Sequence, residues 1–188
     1  MVCQKSLLRE TIELFVIAAL VFLSVKTFFI QPFRIPSTSM MNTLQVGDLV
    51  LVNRFAYWFT PPKRGDIVVF HYPNDPKVYY VKRVIAMAGE SIDINDNQVI
   101  VGNTVLNEPY IRDLTRDKGL FTYPLEIPGG SVFVMGDNRN NSLDSRYWGP
   151  LRLEEIEGKA FLIFWNYRNR QGQLLYYPWW HIFRFHLI

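Results

Sequence analysis

Residues 12–30 constrain this chain more than any other segment. Most of the nineteen are apolar, and 14–23 is an unbroken apolar run. At about 1.5 Å per helical residue the segment would reach about 28 Å, close to the hydrocarbon thickness of a bilayer. Glu13 and Lys26 lie near its ends, where long side chains can carry their charge back to the headgroups. A cleaved signal peptide has a similar profile, with Lys5 and Arg9 as its basic start. Its exit, however, should show small residues three apart, and Val25-Lys26-Thr27-Phe28-Phe29 does not. The expectation is therefore an uncleaved transmembrane helix over 12–30. Lys5 and Arg9 precede it, so the positive-inside rule puts residues 1–11 in the cytoplasm and the rest of the chain on the far side.

Beyond Pro32 the long apolar runs give way to short ones separated by turn residues. Gly47-Asp48 precedes an apolar run at 49–52, and Pro61-Pro62-Lys63-Arg64-Gly65-Asp66 breaks the chain before another at 67–70. Residues 79–86 are rich in β-branched and aromatic side chains, and Gly129-Gly130 leads into an apolar run at 131–135. Asn95-Asp96-Asn97-Gln98 between 91–94 and 99–101 is a hairpin signal. A late strand is expected over 160–165. Helical periodicity is absent from 33–175 except for a turn near 153–158. The expected fold is mainly β: a folded, barrel-like antiparallel sheet domain over 31–175 behind the membrane helix. Residues 107–128 read as a charged surface excursion, and Arg64-Gly65-Asp66 as a tight turn rather than an adhesion tripeptide. The aromatic tail at 176–188 is too interrupted to span a bilayer; it suits either the interface or packing on the domain.

Composition removes several function classes. The net charge is +3, with Lys and Arg scattered among Asp and Glu, which leaves no basic groove for nucleic acid. A lone cysteine, Cys3, cannot form an internal disulfide or a multi-cysteine zinc site. The three histidines form no close pair and no HExxH, so no metal or other cofactor is expected.

The chemistry rests on Ser39 and Lys82. Pro36-Ser37-Thr38-Ser39-Met40-Met41 sets a serine where the chain leaves the membrane. If 79–85 is a strand, Lys82 shares a face with Tyr80 and Val84, while Arg83 turns away with Val81 and Ile85. A lysine on an apolar face is costly unless neutral or paired. Lowering its pKa from about 10.4 to the 7–8 useful in a general base takes about 4 kcal/mol of differential solvation, which burial can supply. A neutral lysine could accept the Ser39 proton as the hydroxyl attacks a peptide carbonyl. The Ser39 backbone N–H and the Ser37 hydroxyl could stabilise the resulting oxyanion. A polar run, Gly136-Asp137-Asn138-Arg139-Asn140-Asn141-Ser142-Leu143-Asp144-Ser145-Arg146, could aim the base.

These three blocks, in this order, resemble those of the type I signal peptidases, membrane-anchored Ser/Lys proteases that remove signal peptides from exported proteins. The resemblance runs from about residue 12 to about 165. It implies Ser39 as nucleophile, Lys82 as general base, Ser37 as an oxyanion-hole serine and Ser142 as the residue holding the lysine amine. Asp144 and Arg146 would form a supporting ion pair. It also implies shallow apolar pockets at Phe33, Ile35, Met40, Leu44, Tyr80 and Val81 that select small residues, typically Ala-x-Ala, before the cut. The implied partners are signal peptides of translocated preproteins and membrane lipid. The implied location is a plasma (inner) membrane, with the catalytic domain outside. Asn42 departs from the family pattern, which usually has proline there; Asn140 and Ala88 also depart, replacing a common aspartate and a common proline.

Overall fold

Helix α1 (Leu7–Phe29) runs directly into strand β1 (Ile30–Arg34) in the computed structural model, which describes residues 7–116, 118–165 and 186–187. Arg9, Glu10 and Glu13 occupy the start of the helix, and Arg9 pairs with Glu13 one turn on at 3.3 Å. Its apolar body is unlike a surface helix, which buries one stripe. Leu14, Phe15, Ile17, Leu20 and Phe22 point to all sides, and all are more than half exposed. The helix begins five residues before the expected span and ends one residue before it. Among the described residues no helix is long and apolar enough to cross a membrane.

The strands that follow are β2 (Leu49–Asn53), β3 (Ile67–Tyr72), β4 (Asp75–Ala86), β5 (Ser91–Asn95), β6 (Gln98–Val101), β7 (Thr104–Val105), β8 (Leu125–Glu126) and β9 (Ser131–Met135). Then come a short helix α2 (Ser145–Trp148) and strands β10 (Leu151–Arg152), β11 (Ile156–Trp165) and β12 (His186–Leu187). One sheet runs β1-β2-β11-β3-β4-β9-β10, with β12 also on β11; a smaller sheet runs β7-β6-β5-β8. Every pairing among the described residues is antiparallel. The expected barrel-like closure is corrected here. Among the described residues the end strands β1 and β10 do not pair, so the larger sheet stays open. Of the aromatic tail expected at 176–188, all but His186–Leu187 lies outside the described residues.

Strand patterning explains the layers. In β2, Val50 and Val52 are buried while their neighbours are only partly so, as alternation requires. All four residues at the start of β3 and all five of β9 are buried, because both faces of the central sheet are covered. One cluster joins Val50, Val52, Ile67 and Val69 to Ile35, Met40 and Leu44 of the β1–β2 connection. A second packs Val68, Phe70, Val84 and Val134, and a third ties Ile85, Phe133 and Met135 to the small sheet. The β5–β6 hairpin turns through Asp96 and Asn97, both at positive φ (48° and 63°), the conformation that a two-residue type I′ turn needs.

Two expectations need adjusting. β11 starts at Ile156, four residues before the late strand expected, after a 3₁₀ turn at Leu153–Glu155. The 107–128 segment is not a simple surface excursion. Thr115 is buried, and Glu108 forms a buried ion pair with Arg139 at 2.5 Å. Arg64-Gly65-Asp66 is a turn, with Gly65 at φ +90°; Asp66 accepts from Lys159, Tyr57 and the Lys63 N–H.

Candidate active site

Three segments meet at one cleft. The first is the β1–β2 connection, anchored by the buried side chains Ile35, Met40 and Leu44. The Ile35 N–H donates to Asp48 O, and Met41 and Leu44 close successive turns onto Thr38 O and Met40 O. With apolar residues pinned on both sides, Ser37, Thr38 and Ser39 are held at the surface between them. Ser37 Oγ lies 3.3 Å from Ser39 Oγ.

The second is β4, hydrogen-bonded to β3 on one side and β9 on the other, with Lys82 opposite Val68. Lys82 is only 3% exposed. Its Nζ lies 2.7 Å from Ser39 Oγ and donates to Val81 O at 3.0 Å. The Tyr80 ring centroid is 5.1 Å away. Burial brings the amine down from the ordinary lysine value of 10.5 to about 8. Asp144 and, more weakly, Asp137 pull it back up, and Arg146 helps lower it. The carboxylates are near enough to act, yet desolvation of the ammonium prevails.

The third is the loop that follows β9. Asp144 caps α2 and accepts from the N–H groups of Gly136 and Arg146, and it forms a fully buried ion pair with the Arg146 guanidinium at 2.8 Å. Arg146 also donates to Arg139 O. This network fixes the loop that faces Ser39. Gly136 has room for no side chain: a Cβ there would lie 2.7 Å from Ser142 Cβ and collide with Ser142 Oγ and Ser39 O.

Of the residues singled out in the sequence, Ser37, Ser39 and Lys82 converge. Ser142 stands beside them without touching the amine; its buried Oγ has no hydrogen-bond partner among the described residues. A cleft of about 270 Å³ opens over the pair and is lined in part by Ile35, Met40, Tyr80 and Val81. Phe33 and Leu44 do not line it. Leu44 is fully buried in the core, and Phe33 packs edge-on to Tyr79 at 5.2 Å.

Sequence reading missed a partly buried cation beside the site, Arg83. Arg83 donates twice to Asp137, at 2.8 and 2.7 Å, and reaches Gly65 O and Thr43 Oγ1; Thr43 in turn donates to Asp137. The signal was present, because Arg83 was placed among Val81 and Ile85, and a charge on an apolar face must find a partner. Asn138 and Asn141, which bond the Thr38–Ser39 segment, were hidden within a run whose composition reads as a solvated loop.

A serine hydroxyl within hydrogen-bonding reach of a buried amine that gives up its proton more readily than an ordinary lysine is the arrangement a serine hydrolase with a lysine base requires. The sequence model of the family described as "Signal peptidase, peptidase S26" matches residues 8–165. The Probable signal peptidase I-1 of Synechocystis sp. is 39% identical over 89% of this chain and 87% of its own length. Signal peptidase I of Leptolyngbya laminosa is 36% identical over 89% and 84%, and that of Aquifex aeolicus is 31% identical over 84% of each. The chain belongs to the signal peptidase family, peptidase S26, and is a serine endopeptidase.

Proposed function

We propose that this protein is a membrane-anchored endopeptidase that cuts signal peptides from exported preproteins after small residues, with Ser39 as nucleophile and Lys82 as general base. The observation that carries this reading is the 2.7 Å approach of Lys82 Nζ to Ser39 Oγ in a site that lowers the lysine to about 8. As Ser39 Oγ bonds to the scissile carbonyl carbon, its proton passes to Nζ. The carbonyl oxygen takes the negative charge, facing the Ser39 N–H and Ser37 hydroxyl. Collapse breaks the C–N bond, Lys82 returns the proton to the leaving amine, and the mature protein departs. The neutral lysine then takes a proton from a water that attacks the acyl carbon; the C–Oγ bond breaks, Lys82 returns the proton to Ser39 Oγ, and the cut signal peptide leaves as the acid. Ser142, whose buried hydroxyl has no hydrogen-bond partner among the described residues, is assigned as the group that orients the amine. Asp144 and Arg146 hold the loop that carries it.

The cleft is small, and Ile35, Met40, Tyr80 and Val81 form an apolar part of its wall. Bulky residues before the cut would overlap these walls, which favours an Ala-x-Ala pattern. The exposed apolar body of α1 supports a single-pass anchor with residues 1–11 in the cytoplasm and the catalytic domain outside a plasma membrane. The substrates would then be translocated preproteins emerging beside lipid. Cleavage of an exported precursor by Ser39→Ala and Lys82→Met tests the assignment. Both are expected to be inactive, and near-wild-type turnover by either would end it.

A further inference from the structure

We infer that Asn138 is a positioning residue for the oxyanion donor: its side-chain amide orients the Thr38–Ser39 peptide so that the Ser39 N–H is free and correctly aimed. The inference rests on the proposed role of Ser39. Asn138 grips the nucleophile from both sides. Its backbone N–H donates to Ser39 O at 3.0 Å, and its Nδ2 donates to Thr38 O at 3.1 Å. Asn138 thus contacts both peptides that flank Ser39, sharing Thr38 O with the Met41 N–H at 2.9 Å. The Thr38–Ser39 peptide is trans, so its carbonyl and N–H point in opposite directions. Fixing Thr38 O toward Asn138 turns the Ser39 N–H the other way. That N–H has no hydrogen-bond partner among the described residues.

The placement of the side chain argues against a purely local role. Asn138 occupies the N-cap position of the 3₁₀ turn at Arg139–Asn141, where an asparagine side chain ordinarily accepts from its own turn. Here it makes no such bond and instead reaches across to Thr38. Asn141 adds a second tie, from Nδ2 to Thr38 Oγ1 at 3.0 Å. Close approach at Gly136 brings the loop near enough for both.

The test compares wild type, Asn138→Ala and the isosteric Asn138→Asp, which keeps the shape but removes the donor, all in the full chain in detergent. Both variants should lower kcat about tenfold or more, as expected for a misaimed oxyanion donor. KM should stay within about twofold, because ground-state binding does not use that donor. A peptide aldehyde, which forms a tetrahedral adduct on Ser39, should lose affinity in step with kcat/KM. A product peptide ending in a carboxylate should bind as before. In Asn138→Ala the activity inflection set by Lys82 should not move, whereas the added carboxylate of Asn138→Asp should raise it. Unchanged kcat in both variants, or equal losses for aldehyde and product peptide, would overturn the inference. Activity in Ser39→Ala would instead mark failure of the underlying functional reading.

Discussion

Lys82→Met should remove activity while relieving the fold of a buried charge, and the pH dependence of that relief can be worked out. The unfolded chain holds the lysine proton up to about pH 10.5, the folded chain only to about pH 8. Below pH 8 both states are protonated, and the folded state bears the full cost of an ammonium removed from water. Between pH 8 and 10.5 the unfolded state binds more protons, so wild-type stability rises with pH; above that window the cost is gone. At about 1.4 kcal/mol per pH unit, the effect amounts to about 3 kcal/mol. Methionine keeps much of the aliphatic stem but leaves Val81 O and Ser39 Oγ without Nζ, a cost of about 1–3 kcal/mol that does not vary with pH. The variant should therefore match or exceed wild-type stability at pH 7. Its advantage should shrink by about 3 kcal/mol by pH 11, leaving it the less stable protein. Urea unfolding of both full chains in detergent, followed by tryptophan fluorescence at pH 7, 9 and 11, reads the difference directly; groups common to both proteins cancel. A stability difference that is flat across this range, or that moves in the opposite direction, would refute a buried, depressed amine at position 82.

The same amine sets the rate. For the free enzyme, kcat/KM should rise about tenfold per pH unit below about pH 8 and level off above it, measured on a peptide substrate with a neutral cut site. Gly136→Ala should cost at least about tenfold in kcat, because its methyl group displaces either Ser39 O or Ser142; the effect should exceed that of alanine at Gly129, which has open space around it. Asn42 sits at φ +101°, a conformation that strains a side chain and that proline cannot adopt. Asn42→Gly should raise stability by about 1 kcal/mol in urea unfolding with activity intact, whereas Asn42→Pro should rearrange the turn after Ser39.

Much of this protein was legible in one dimension because the relevant forces are local. Alternating apolar positions separated by glycine and proline define strands, and Asp96-Asn97 defines a hairpin turn, whatever lies elsewhere in the chain. The serine and lysine blocks were readable for a different reason: a lysine among apolar neighbours has an energetic cost that invites a chemical explanation. Pairings between distant segments could not be read that way. Whether the sheets close into a barrel depends on whether β1 meets β10, and no local pattern encodes that. The partner of Arg83 lies 54 positions away at Asp137, and Glu108 finds Arg139 across 31 positions. Ser39 and Lys82 are 43 residues apart. Their 2.7 Å contact, the dryness around the amine and the grip of Asn138 on Thr38 exist only once β4 is packed between β3 and β9 and the post-β9 loop is drawn in over Gly136. Residue type decided which chemistry was available to this chain. Desolvation and alignment, which arise only from three-dimensional packing, decided which groups could take part in it.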